Sequence, residues 1–331
     1  MRVGMIGAGR IGTLHAGVLS QLAAVDELVV ADSIPTRAKQ LATDLAVDHV
    51  DDPRDVFGTA DTVVIASSTE THAPYLIDAA RAGLPTFCEK PISQDLDSMN
   101  AAAAAVNASG IMVQMGFMRR FDVGYRAAHD LVAAGGLGHV MLVQAQTHDH
   151  EPPPADYIAV SGGIFPDMLI HEFDILRFVT GQEIVEVTAV GTTHGLPEFA
   201  DHNDVATAAV TARLDGGTLA VITGVRTDPH GYDVRMEVFG TKDSVAVGLD
   251  PHTPIRTLDA GLDLPQAPVT VTWLERFGAA YTAEMEVFID TVANGKPSQC
   301  TVDDACAAQV VAEACRRSRE FARPVLIEEF S

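Results

Sequence analysis

The sequence predicts an α/β protein of two domains, in which a parallel sheet flanked by helices is followed by an α+β domain with a large, mostly antiparallel open sheet. Three observations predict this. The chain has 331 residues, more than a single hydrophobic core usually serves. Its first third alternates short apolar runs with helical patterns, which is typical of βαβ units. Residues 184–247 instead form successive β-branched stretches separated by turn signals.

Five short apolar runs supply the predicted strands of the parallel sheet. Helical stretches separate these runs, and the last one is rich in alanine, the best intrinsic helix former. This succession is typical of a Rossmann domain, to which we assign residues 1–118. The predicted strands are residues 2–6, 28–31, 62–66, 86–88 and 111–115, and the predicted helices are residues 10–23, 35–45, 72–82 and 94–107.

Residues 119–331 are assigned to the second domain, which contains the antiparallel sheet. The segment Asp215-Gly216-Gly217 indicates a hairpin between two of its strands, and residues 240–243 mark another turn. Gly295-Lys296-Pro297 separates two final helices, which could pack back on the first domain. Helices are predicted at residues 122–134, 166–180, 275–294 and 302–321, a strand at 139–147 and a proline-rich loop at 152–154.

The charge balance bears on the choice of partners. Lys and Arg number 22 and Asp and Glu number 45, which gives a net charge of −23 at pH 7. Such a field repels phosphate backbones and anionic lipid surfaces, so we expect neither nucleic acid nor a membrane as a partner. The same field offers no long-range attraction to an anion, which favours a small neutral substrate.

The cysteines and the apolar segments indicate the compartment. Four cysteines form neither a C-x-x-C pair nor a zinc-binding spacing, and a chain of this size does not need disulfides to fold. Met1 leads almost directly into the first apolar run, and no apolar stretch is long enough to span a bilayer. We therefore expect a cytoplasmic protein with reduced thiols.

A glycine-rich turn joins the first predicted strand to the first predicted helix. Glycines in this context allow a tight turn and let the backbone approach a pyrophosphate, while the helix N-terminus offers unpaired N–H groups and a partial positive charge. Glycine-rich turns also occur before helices for structural reasons alone, so the context carries the prediction. We expect a dinucleotide site at Gly7, Gly9, Arg10, Ile11 and Gly12.

Asp32 ends the second predicted strand and follows Gly12 by twenty residues, the spacing of an acid that binds a ribose 2′-hydroxyl. Its carboxylate would repel a 2′-phosphate, so NAD is favoured over NADP as the cofactor. Two alternatives stay open. Asp32 could instead cap the helix that follows Ser33, and Arg37 could accommodate a phosphate.

The ends of the next two parallel strands are expected to complete the cofactor site, because open α/β sheets hold their ligands there. Lys90 lies in the segment Phe87-Cys88-Glu89-Lys90-Pro91, and its ammonium could donate to a substrate oxygen. Alternatively, Glu89 and Lys90 form a solvated pair. We predict a cis Lys90–Pro91 bond, since cis peptides are nearly confined to proline. The further cofactor candidates are Ser67, Ser68, Thr69, His72, Glu89 and Lys90.

A carboxylate and an imidazole share one face of the helix predicted at residues 166–180. Asp167 and His171 are four residues apart, so they project one turn from each other. A carboxylate beside an imidazole orients the ring and stabilises its charged form, as a general base requires. Alternatively, the pair is an acid at a helix N-terminus and a satisfied core histidine.

Several motifs in the same order resemble those of the glucose-fructose oxidoreductase and inositol dehydrogenase family (Gfo/Idh/MocA), and within it those of the inositol 2-dehydrogenases. The resemblance covers essentially the whole chain. It implies a Rossmann domain, an α/β domain whose open sheet forms a homotetramer, and oxidation of an inositol hydroxyl with NAD. The motifs are residues 7–12, 87–91, 116–122, 162–174, 231–233 and 273–281.

The resemblance also implies roles for individual residues. Lys90, Asp167 and His171 match the catalytic residues of the family. His171 would take the hydroxyl proton while hydride passes to the nicotinamide, and Lys90 would stabilise the alkoxide. The residues expected to contact the polyol are Met118, Arg119, His148, His150, Tyr232 and Tyr281.

The chain departs from the family at His148-Asp149-His150, where similar inositol enzymes tend to carry Arg followed by Asn or Asp. This departure bears on the stereochemistry of the substrate and leaves the chemistry unchanged. The two histidines with Asp149 and Glu151 could suggest a metal site, but we expect none there. Two alternative functions stay open: a dehydrogenase or reductase of a sugar or sugar nucleotide, and a non-catalytic NAD-binding regulator.

Overall fold

The computed structural model describes residues 1–248, 270 and 272–330, which fold into two compact units. The first unit contains Met1–Phe121 and Ala279–Ala307, and the second contains Asp122–Gly278 and Ala308–Ser331. Each unit therefore combines one long stretch of the chain with parts of the two final helices.

The first unit contains a six-stranded sheet in which every strand pair is parallel. Its strands are β1 (Arg2–Ile6), β2 (Glu27–Ala31), β3 (Asp48–Val50), β4 (Thr62–Ile65), β5 (Thr86–Glu89) and β6 (Val113–Gly116). They lie in the order β3-β2-β1-β4-β5-β6, which confirms the predicted Rossmann fold. The order reverses between β1 and β4, so the crevice beyond their carboxyl ends is the expected place for a ligand.

Four helices connect these strands, and some of them begin or end at residues other than those predicted. They are α1 (Arg10–Leu19), α2 (Pro35–Leu45), α3 (Thr69–Ala82) and α4 (Leu96–Ser109). The first ends four residues earlier than predicted, because the N–H groups of Gln21 and Leu22 bond three residues back and tighten the chain into turns. The third begins three residues earlier than predicted, and it ends at Gly83, which has φ of +72°.

The strand β3 was not predicted. It has three residues, lies at the edge of the sheet and includes the polar pair Asp48 and His49, both exposed. Three residues are too few to show the alternation of apolar and polar side chains that indicates a strand. Pairing with β2 through Val29 to Ala31 creates it.

The core of the first unit combines the sheet with part of the helix α8 (Trp273–Asn294). Phe87 and Phe288 meet edge to face, with ring centroids 5.7 Å apart. Each buried side chain of this size contributes about 1.5–3 kcal/mol on leaving water. The buried cluster includes Val3, Met5, Leu28, Val30, Val64, Phe87, Met285, Phe288 and Ile289.

The second unit contains a seven-stranded sheet in the order β12-β11-β7-β10-β9-β8-β13. Its strands are β7 (Val140–His148), β8 (Ile184–Thr192), β9 (Thr207–Leu214), β10 (Leu219–Val225), β11 (Asp233–Gly240), β12 (Ser244–Val247) and β13 (Val325–Leu326). The pairs are antiparallel except for β7 with β10, so the predicted mostly antiparallel sheet is confirmed. The predicted hairpin at residues 215–217 joins β9 to β10, with Gly217 at φ of +89°.

The described residues also form the helices α5 (Val123–Ala133), α6 (Ala155–Ile158), α7 (Ile170–Thr180) and α9 (Val302–Phe321). The short helix α6 was not predicted, because three prolines precede it and suggested a loop. Residues alternate between buried and exposed along β9 and β10, so one face of this sheet is covered and the other is open. Among the described residues, no helix has the length and apolarity needed to cross a membrane.

Candidate active site

The glycine-rich turn after β1 is tightly packed at two of its glycines and open at a third. Gly7 has φ of +112°, and a Cβ there would collide with the carbonyl oxygen of Ala66. A Cβ on Gly12 would collide with the carbonyl oxygen of Gly7, so both positions need glycine. Gly9 is different, because a Cβ there would meet no atom within 4 Å. Its side of the turn is open towards a ligand.

The helix α1 begins directly after this turn, with Gly9 at its N-cap and Arg10 and Ile11 as its first residues. Within the described part of the chain, no side chain caps this end and no acidic residue lies in the first turn. The first N–H groups and the partial positive charge of the helix therefore remain available to an anion. This arrangement suits a phosphate group.

Asp32 lies at the carboxyl end of β2 and is buried. Its Oδ2 accepts from the backbone N–H of Ala8 at 2.7 Å, and its Oδ1 accepts from that of Ile34 at 2.8 Å. The carboxylate thus fixes the glycine-rich turn, and each oxygen can accept one more hydrogen bond. Asp32 is not the N-cap of α2, because Ile34 occupies that position. Arg37 is exposed in the first turn of α2.

His72 lies in α3 and is buried between two loops of the first unit. Its Nδ1 is 2.7 Å from the carbonyl oxygen of Pro91, and its Nε2 is 3.0 Å from that of Ser67. Burial lowers the pKa of His72, although both carbonyl contacts act in the opposite direction. The ring tethers the loops that follow β4 and β5. Ser68 forms the N-cap of α3 and Thr69 is its first residue.

Lys90 follows β5, and its bond to Pro91 is cis, which confirms the prediction. The preceding Glu89 is buried, and its Oε1 lies 2.8 Å from Nε2 of His15. Oε2 of Glu89 accepts from the N–H of Lys90 at 3.3 Å. A buried acid thus connects the chain at Lys90 to α1, which carries His15.

Sequence reasoning missed His15, which projects from α1 into the buried interior of the first unit. The ring of Tyr281 packs edge-on against it with centroids 5.9 Å apart, and Phe87 does so at 5.2 Å. The carboxylate of Glu284 lies within 4.8 Å of both His15 and Glu89.

Met118 and Arg119 lie in the short 3-10 helix Met118–Phe121 and are also buried.

The segment that carries Asp167 is a π-helical turn, Phe165–Leu169, followed by α7. The prediction of one regular helix over residues 166–180 is therefore wrong in its first turn. Asp204 holds this start: its Oδ1 accepts from the backbone N–H of Ile164 at 2.9 Å. Turns of this kind are rare and often occur at functional sites.

Two side chains of the described residues donate to Asp167, one to each carboxylate oxygen. Nη1 of Arg226 donates to Oδ2 at 2.9 Å, and the hydroxyl of Tyr157 donates to Oδ1 at 2.8 Å. His171 lies in the first turn of α7 and is half-buried. Neither Arg226 nor Tyr157 was predicted. They lie 59 and 10 residues from Asp167 along the chain, so no local motif links them to this acid.

The parallel pair of β7 and β10 brings further predicted residues together. Val225 and His148 are partners in the register of this pair, and Asp233 of β11 faces His148 from the other side. Nδ1 of His148 lies 3.3 Å from Oδ2 of Asp228, and Nδ1 of His150 lies 3.3 Å from the carbonyl oxygen of the same residue. This end of the sheet therefore gathers residues from three strands.

Tyr232 precedes β11, and its ring packs at 88° against that of Phe277 in the same unit. His148, Asp228 and Asp233 are close enough to hold a cation. However, Arg235 lies 3.1 Å from Asp233 and already supplies positive charge there. An ion is not needed to balance this acid.

Comparisons with known proteins match both parts of the chain. Residues 1–117 match the model of an oxidoreductase family with an NAD-binding Rossmann fold, and residues 125–246 match that of the GFO/IDH/MocA C-terminal domain. The chain is 34% identical to a myo-inositol 2-dehydrogenase of Thermotoga maritima, over 99% of each chain. It is also 34% identical to a scyllo-inositol 2-dehydrogenase (NAD⁺) of Bacillus subtilis, over 99% of this chain and 96% of that one.

Solved structures agree with these matches. A scyllo-inositol dehydrogenase of Lactobacillus casei with bound NAD(H) and scyllo-inositol superposes with a TM-score of 0.87 at 28% identity, and the match covers 99% of each chain.

Proposed function

Because the chain belongs to the GFO/IDH/MocA oxidoreductase family, as its motifs predicted, we propose that it oxidises one hydroxyl of a cyclic polyol to the ketone with NAD as the hydride acceptor. Myo-inositol or a related inositol is the proposed substrate. The observation that carries this proposal is the start of α7, where a doubly hydrogen-bonded carboxylate, Asp167, lies one turn before His171.

Three residues of the chain have separate roles in the proposed reaction. His171 takes the proton of the hydroxyl as the general base, and Asp167 stabilises the imidazolium that forms. The ammonium of Lys90 stabilises the oxygen while it carries negative charge. NAD, when bound, would supply the acceptor for the hydride of the carbon that bears this hydroxyl, so the products would be a ketone, a reduced cofactor and a protonated His171.

The cofactor would bind to the first unit. The uncapped start of α1 suits the pyrophosphate, and the open side at Gly9 lets it approach the backbone. Asp32 would accept from a ribose hydroxyl, and its charge would disfavour a 2′-phosphate, so NAD is proposed over NADP. The residues proposed to line this site are Gly7, Gly9, Arg10, Ile11, Gly12, Asp32, Arg37, Ser67, Ser68, Thr69, His72, Glu89 and Lys90.

We further propose that residues 1–118 bind the dinucleotide and that residues 119–331 bind substrate and form a homotetramer. The open face of the second sheet exposes Val190, Leu219 and Val221, which supports its use as an interface. The four cysteines are free, which supports a reducing compartment such as the cytoplasm. The residues proposed to contact the polyol are Met118, Arg119, His148, His150, Tyr232 and Tyr281.

The test is the formation of NADH, followed by absorbance, on a panel of myo-, scyllo- and chiro-inositol, glucose and sugar nucleotides. We expect turnover of at least one inositol, and we expect Lys90→Ala and His171→Ala to lower kcat by about a hundredfold or more while NAD binding persists. Turnover of a sugar alone would favour a sugar dehydrogenase. Turnover of none would favour a non-catalytic NAD-binding protein.

A further inference from the structure

We propose that Arg226 is a positioning residue, which fixes the Asp167 carboxylate at the start of α7 and supplies the positive charge that this acid needs beside His171. The inference rests on the proposed function, because it assigns His171 the part of the base. It extends that function by a residue that no motif of the sequence indicated.

The guanidinium of Arg226 is built into the second unit. Arg226 follows β10 directly, and its backbone N–H donates to the carbonyl oxygen of Ala206 at 2.8 Å. Only 3% of its side chain is exposed. Nη1 donates to Oδ2 of Asp167 at 2.9 Å and lies 3.7 Å from Oδ2 of Asp149. Its backbone is thus anchored in the sheet while its charge lies between two acids.

Arg226 and Tyr157 together define the orientation of the carboxylate. Each donates to a different oxygen of Asp167, so the plane of the acid is held at both ends. Tyr157 comes from α6 and is 41% exposed, whereas Arg226 is buried. The arginine therefore makes the shielded contact and the tyrosine the contact nearer to water.

The charges around this contact explain why a cation is needed. Asp167 from the π-helical turn and Asp149 from the loop after β7 lie 2.9 Å and 3.7 Å from Nη1 of Arg226, and Asp204 from the turn before β9 adds a further electrostatic attraction. Burial alone would lower the pKa of Arg226, but these carboxylates outweigh it and raise the pKa. Arginine therefore remains a cation throughout the pH range in which histidine titrates.

The effect on catalysis follows from the sign of the charge. Without the guanidinium, the negative charge of Asp167, one turn before His171, would lose this compensation and would favour the protonated form of the base. His171 must be neutral to accept the hydroxyl proton, so the enzyme would then become active only at higher pH. An arginine that merely stabilised the fold would lower activity equally at every pH.

The experiment compares the pH dependence of kcat and kcat/KM for NAD-dependent inositol oxidation by the full chain, from about pH 5 to 9. The variants are Arg226→Met, Arg226→Lys and Tyr157→Phe. Arg177→Met is the matched control, because Arg177 also lies in the second unit and pairs with a carboxylate, Glu183, through Nε at 2.6 Å and Nη2 at 2.7 Å.

We expect Arg226→Met to lower kcat by about ten- to a hundredfold and to move the acidic limb of the profile up by about one pH unit. Arg226→Lys keeps the charge, so its limb should stay near that of the wild type while kcat falls, since lysine cannot reproduce the guanidinium geometry. Tyr157→Phe should lower kcat several-fold without moving the limb. Arg177→Met should match the wild type in both measures.

An unmoved limb in Arg226→Met would overturn the inference even if kcat fell. If that variant does not fold, Arg226→Gln replaces it, because glutamine also removes the charge: an unmoved limb would overturn the inference, and a limb moved to higher pH would support it. In Arg226→Lys, a kcat equal to that of the wild type would also overturn the inference. The wild type separates the two claims. A wild type that turns over no inositol overturns the proposed function and this inference with it, whereas an active wild type with unaltered variants overturns the inference alone.

Discussion

Replacing Asp32 by asparagine is expected to move cofactor preference from NAD towards NADP by about two to three powers of ten in the ratio of kcat/KM values. The estimate follows from charge: two unit charges about 4 Å apart near a protein surface repel by about 4 kcal/mol, which is close to a factor of a thousand. Asparagine removes this repulsion from a 2′-phosphate. It keeps one oxygen for one of the two backbone donors, Ala8 and Ile34.

The same substitution should also destabilise the first unit slightly. Asparagine presents an amide N–H₂ to one of these two backbone N–H groups, and a buried donor left without an acceptor costs about 1–3 kcal/mol. Steady-state kinetics with both cofactors test the preference, and thermal denaturation tests the stability. Asp61→Asn is a suitable control, because Asp61 also accepts from a backbone N–H, that of Arg2 at 2.7 Å, outside the cofactor site. An unchanged cofactor ratio in Asp32→Asn would refute the role assigned to this acid.

Three further predictions concern packing, pH and assembly. Phe288→Ala should lower the free energy of unfolding by about 3–5 kcal/mol, measured with a chemical denaturant, because it empties a fully buried ring position. Although burial raises the pKa of Asp304, Arg120 at 3.1 Å and neighbouring donors lower it overall, so the stability from this pair is present above about pH 4 and lost as the pH falls further. Asp304→Asn should therefore flatten the acid dependence of thermal stability, and an identical dependence would contradict this. Leu219→Glu, on the open face of the second sheet, should convert the proposed tetramer into smaller species, as measured by light scattering, and an unchanged mass would contradict this use of the open face.

The sequence alone was sufficient to predict the elements that depend on residues close to one another along the chain. Apolar runs and helical periods located β1, β2, β4 and β5 to within a residue, because each lies between clear breaks. The glycine-rich turn was recognisable for the same reason: Gly7 and Gly12 are needed by contacts that arise within the turn and the adjoining strand.

The sequence was insufficient where the structure depends on residues far apart. Arg226 contacts an acid 59 positions away, and His15 contacts one 74 positions away. The π-helical turn before α7 is held by Asp204, which acts on Ile164 from 40 positions along the chain. Periodicity describes one element at a time, so it cannot indicate which polar side chains the completed sheet will place together.

The parallel pairing of β7 with β10 has a consequence for how this enzyme could acquire new substrates. Because the two strands run in the same direction, the connections that leave them, beginning at Asp149 and Arg226, emerge side by side. Had the pair been antiparallel, these connections would have emerged at opposite ends of the strands. Insertions or exchanges in either connection can therefore reshape this end of the sheet, where we propose that the polyol binds, while the ladder of backbone hydrogen bonds between the two strands stays in register.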